Sequence, residues 1–100
     1  ADSPQFWKQA NDQVLLHAMA EGEGAAFDEL FARHSSMLLS FLSRLLVSRS
    51  DQDDLLQETF LRVLTHAKDF RPGTAIRPWL FTIARNAALA KHAKWRETHG

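Results

Sequence analysis

The 100-residue sequence contains no cysteine, which excludes disulfides and thiolate metal sites and fits a cytoplasmic protein. No apolar run approaches the roughly 20 residues that span a bilayer. Residues 1–13, ADSPQFWKQANDQ, lack the positive start and apolar stretch of a secretory signal. Alternation at period two is missing, as are internal repeats and low-complexity tracts, so strands are not expected. The sequence also lacks a phosphate loop, a GxSxG turn and a Gly-rich dinucleotide turn. Its five histidines, His17, His34, His66, His92 and His99, show no metal-ligand spacing such as HExxH. Asp53 and Asp54 are neighbours on a helix, so their side chains diverge by about 100° and make a poor acid–base pair. Nothing in the sequence points to catalysis, a cofactor or a bound metal.

What is present suffices for one small core: 45% of the residues are apolar, too many for a disordered chain. The net charge of zero conceals a split. Residues 1–70 carry 6 Lys/Arg against 11 Asp/Glu, whereas residues 71–100 carry 6 against Glu97 alone. An acidic surface for a protein and a basic one for a polyanion would produce this split, as would two halves that neutralise each other.

Residues 1–11 hold Pro4 and an isolated Phe6–Trp7 pair and are expected to form a flexible arm; the domain proper is expected over 12–100. Asn11 or Asp12 can cap a helix to about Glu21, with Val14, Leu15, Ala18 and Met19 on its apolar side. Gly22 and Gly24 end it. A second helix is expected from about Ala25 to Val47, with Phe27, Leu30, Phe31, His34, Leu38, Phe41, Leu42 and Leu45 at threes and fours. His34 falls on that stripe and reads as a packed core residue. Ser48–Ser50 interrupt, Ser50 or Asp51 caps a third helix, and Arg71-Pro72-Gly73 form a turn. Thr74 can cap a fourth helix that starts near Ala75–Arg77, with Pro78 in its first turn, and runs to about Arg96. The expected fold is all-α, a compact bundle of three to four helices.

The third helix, within 51–70, has an ordinary core stripe: Leu56, Phe60, Val63, Ala67 and Phe70. Its other side is unusual, because Asp54, Gln57 and Glu58 surround Leu61, which the helical phase turns outward. An apolar residue framed by acceptors suits a docking surface, although single surface leucines are common. The acidic residues Asp51 and Asp53 are also explained by the helix dipole. On the fourth helix, Ile76, Trp79, Leu80, Ile83, Ala87 and Ala90 converge and should be buried. Opposite lie Arg77, Phe81, Arg85, His92, Trp95 and Arg96. Cations interleaved with aromatic rings suit nucleic acid, while a solvated face or a membrane-surface helix would look similar. Asn86, at the border, can offer paired contacts to a base edge or satisfy nearby backbone.

DDLLQETFLRV at 53–63, Phe70 and RPWLFTIARNAAL at 77–89 together resemble the second conserved region of bacterial sigma factors. The resemblance is closest to the extracytoplasmic-function (ECF) group; AAFDELFARH at 25–34 fits that group's first conserved helix, and about residues 12–96 are covered. It implies that Asp54, Gln57, Glu58 and Leu61 dock on the clamp helices of the RNA polymerase β′ subunit. It also implies that Phe70, Arg71, Gly73, Thr74, Ala75 and Asn86 capture an unpaired non-template base of the promoter -10 element, and so help melt the promoter. Arg77 and Arg85 of the basic face are expected to contact the same DNA. The chain departs from the group at Ala75–Arg77 and at Pro78, where base choice is set, so no promoter sequence follows. The group's helix-turn-helix for the -35 element is not present in these residues. A competing expectation is a protein-interaction module whose partner is an anti-sigma factor.

Overall fold

The computed structural model describes residues 4–45 and 48–99, all of whose regular elements are helical. They are α1 (Pro4–Lys8), α2 (Asp12–Ala20), α3 (Gly24–Ser43), α4 (Arg49–His66), a 3₁₀ turn (Ala67–Asp69) and α5 (Ile76–His99). Three of the starts have a local cause. The side chain of Asn11 accepts from the Val14 N–H at 2.9 Å and caps α2. Ser48 Oγ accepts from the Asp51 N–H at 3.3 Å and caps α4, two residues before the earlier of the two caps expected from sequence. In α5, Pro78 is the third residue, inside the first turn where an amide has no intrahelical partner. Gly22, at φ +100°, ends α2; its N–H reaches Met19 O at 3.0 Å.

α2, α3, α4 and α5 enclose one core centred on Phe60. From α2 it takes Leu15, Leu16, Ala18 and Met19, so Leu16 replaces the expected Val14, which is exposed. From α3 it takes Ala26, Leu30, His34, Leu38 and Leu42, a pure four-residue repeat. Phe27 and Phe31 flank that line and meet Phe60 at ring-centroid distances of 6.1 and 4.8 Å. α3 ends at Ser43, leaving Leu45 exposed; residues 46 and 47, to which the helix was expected to run, lie outside the described residues. Thr59 is buried without penalty because its hydroxyl donates to Leu55 O at 2.6 Å.

The expected flexible arm is corrected over residues 4–10, while residues 1–3 lie outside the described residues. Trp7 is only 6% exposed and belongs to the core. Arg33 of α3 explains why the segment is held: its Nη2 donates to Trp7 O at 3.1 Å and Lys8 O at 3.0 Å. Those carbonyls lie at the end of α1, where helical acceptors run out of intrahelical partners; Trp7 O also accepts from the Ala10 N–H at 3.1 Å. The same guanidinium is fixed by Glu29 at 2.9 Å and Asp12 at 3.3 Å.

Candidate functional site

Two surfaces carry the residues singled out by sequence. The first is the outward side of α4, where Asp54, Gln57, Glu58 and Leu61 are all exposed. Leu61 is 56% exposed, and Leu64, one turn further on, is also open to solvent. The charged rim is already partly paired within the chain. Glu58 holds Arg62 at 2.9 Å, and Lys91 of α5 stands 3.5 Å from Asp51 and 3.9 Å from Asp54. Exposed pairs of this kind contribute under about 1 kcal/mol, so a partner can replace them at little cost. Among the described residues none buries the apolar centre.

The second surface begins where α4 ends. The 3₁₀ turn redirects the chain, Phe70 leaves it in an extended conformation, and Arg71-Pro72-Gly73-Thr74 make a tight turn. Thr74 N–H donates to Arg71 O at 3.2 Å, and Gly73 has φ +83°. Proline followed by a positive-φ glycine, closed by that hydrogen bond, is the pattern of a type II turn. The ring of Phe70 packs edge-on against Trp79 with centroids 5.0 Å apart, which ties the loop to α5.

Between this loop and the start of α2 lies an open cleft of about 370 Å³. Phe70, Gly73, Thr74, Ala75 and Ile76 form one wall; Asn11, Asp12 and Gln13 form the other. Four of the sequence-predicted residues, Phe70, Gly73, Thr74 and Ala75, are thus brought together. Arg71, Arg77, Arg85 and Asn86 are exposed but do not line the cleft. Asn11, Asp12 and Gln13 were legible only as a helix start, because capping residues and wall residues have the same local signature.

Phasing of α5 needs two corrections. Phe81, assigned to the basic outer face, is half-buried and meets Phe41 of α3 at 4.9 Å. Ala90 is exposed, and Ala84 takes a place in the core. Further along, Trp95 is exposed and stacks with His92 at 6.5 Å and with His99 at 4.5 Å, within 12° of parallel. Among the described residues no group of three or more His, Cys, Asp or Glu could hold a metal, and no helix is long and apolar enough to cross a membrane.

Residues 30–97 match the family model described as Sigma-70 region 2. The chain is 46% identical over 73 residues to RNA polymerase sigma factor CarQ of Myxococcus xanthus, covering 73% of this chain and 42% of that protein. It is 35% identical over 81 residues to the ECF RNA polymerase sigma-E factor of Haemophilus influenzae, covering 81% of this chain and 42% of that one. The chain therefore spans about two-fifths of the length of these curated relatives. An NMR structure of an engineered region 2 of sigmaE in complex with GTAAAA is similar at TM-score 0.76 and 30% identity, covering 86% of this chain and 90% of that one.

Proposed function

Since this chain belongs to the Sigma-70 region 2 family, within the ECF group of transcription initiation factors, we propose that it joins RNA polymerase to a melted promoter. In this reading α4 docks on the clamp helices of the β′ subunit through Leu61, with Asp54, Gln57 and Glu58 around it. The loop at 70–75 receives one unpaired base of the non-template -10 strand. Arg71, Arg77 and Arg85 contact its phosphates, and Asn86 a base edge.

The observation that carries the reading is the cleft behind the 70–75 loop, large enough for a single base and bordered by the family's loop residues. The complex of the similar engineered region 2 with GTAAAA supports it. Extruding a base costs a few kcal/mol of unstacking and unpairing. A site that binds only the extruded form returns part of that cost once the strands separate, so binding favours the open state.

Fluorescence anisotropy tests this with labelled DNA containing GTAAAA, offered single-stranded or as duplex, together with a randomised single-stranded pool. The single strand is expected to bind more tightly than its duplex, and log affinity to fall linearly with log salt. Equal binding of both forms, or no binding to any pool member by protein with intact helical circular dichroism, would overturn the proposal.

A further inference from the structure

The cleft has a wall that neither sigma-like motif supplies. Among its eight lining residues Asp12 is the only charged one, and a bare carboxylate there would oppose an incoming polyanion. Its surroundings remove that objection. Oδ1 lies 3.3 Å from Arg33 Nη1 and 3.1 Å from Nε2 of the buried His34. Arg33 is itself fixed by Glu29, Trp7 O and Lys8 O. The carboxylate is therefore oriented and next to a cation before any ligand arrives. Among the described residues, Oδ2 has no hydrogen-bond partner.

The other polar groups of that wall are less constrained. Asn11 spends its side-chain oxygen on the cap of α2, and Gln13 is exposed. An amide of this kind can turn to present a donor or an acceptor, so it discriminates weakly. A carboxylate only accepts. Facing a base edge, it favours an exocyclic amine, as Asp and Glu do with cytosine. It disfavours thymine, whose single ring N–H is flanked by two carbonyl oxygens.

We infer that Asp12 is a specificity-determining residue of the base cleft, its carboxylate selecting a captured base that carries an exocyclic amino group and rejecting thymine. The inference rests on the reading of the cleft as a site for an unpaired base. Arg33 and His34 act through Asp12 as positioning residues.

The experiment starts from the single-stranded DNA that the wild-type chain selects most strongly from a randomised pool. Each amino-bearing base is replaced in turn by its deaminated form: cytosine by uracil, adenine by hypoxanthine, guanine by xanthine. Binding is then measured with wild type and with Asp12→Asn. At one position deamination is expected to weaken wild-type binding about tenfold, as for loss of a charge-assisted hydrogen bond. The same change is expected to cost Asp12→Asn less than about threefold, since an amide can also donate to the new carbonyl. If Asp12→Asn loses its helical circular dichroism, Asp12→Gln replaces it; this keeps the amide, with its donor and acceptor, and moves it by one methylene. A scan in which no position matters, or in which both proteins lose equally, overturns the assignment of Asp12 while leaving base capture intact. Failure of folded wild type to select any single strand overturns base capture itself, and the role of Asp12 with it.

Discussion

The ring of Phe70 meets that of Trp79 edge-on, 5.0 Å between centroids and 60° between planes. This contact fastens the first residue after the 3₁₀ turn to the first turn of α5, so the loop between them is closed at both ends. Trp79 is half-buried against the core, and Trp79→Leu would lose the ring pair and part of that packing. The expected cost is about 1–3 kcal/mol, read by urea denaturation. Single-stranded DNA binding should fall as well, because the loop loses its anchor. Retained affinity at full folding would mean that the loop is held by other contacts.

Leu61 makes a different expectation because it stays 56% exposed among the described residues. Leu61→Arg should change folding stability by no more than about 0.5 kcal/mol, as surface substitutions do. It should abolish capture by an immobilised β′ clamp-helix fragment, since it places a cation in the apolar centre of the face. Capture that survives would assign the polymerase contact to another surface.

Gly73 tests the loop through backbone conformation alone. A Cβ there would meet nothing within 4 Å, yet the residue sits at φ +83°. Gly73→Ala is therefore expected to cost about 1–2 kcal/mol from the left-handed conformation rather than from a clash. Gly73→Asn should cost less, because Asn tolerates that region. Thermal denaturation of the two variants distinguishes strain from crowding: equal losses in both would count against strain.

How far the sequence anticipated the site depends on the range of the interaction. Leu30, His34, Leu38 and Leu42 declare the buried line of α3 through spacing, and the same phasing turned Leu61 outward. Local chemistry also made the turn legible, since Pro72-Gly73 admits few backbone paths. Trp7 was misread because its burial depends on Arg33, 26 residues away, whose side chain shows no such role in its own helix. Phe81 was misplaced for a related reason: phase gives its direction on α5, but not that Phe41 of α3 waits there. Asp12 suffered most. As a helix-start residue it had a sufficient local explanation, and only the tertiary fold sets it across a cleft from the 70–75 loop.

The exposed residues outside the cleft should separate into two kinds by their effect on DNA. Arg77 and Arg85 are exposed on α5 and are expected to serve phosphates without regard to sequence. Arg77→Gln and Arg85→Gln should each weaken all single strands alike. Each should also reduce the slope of log affinity against log salt by about 0.7, the value per phosphate neutralised on a single strand. Asn86 carries no charge, so Asn86→Ala should leave that slope unchanged and weaken some base sequences more than others, by roughly 1–3 kcal/mol where a paired contact is lost. Salt titrations with two or three sequences per variant decide the matter. If Asn86→Ala weakens every sequence equally, with the slope intact, the amide supports the fold of α5 rather than reading a base.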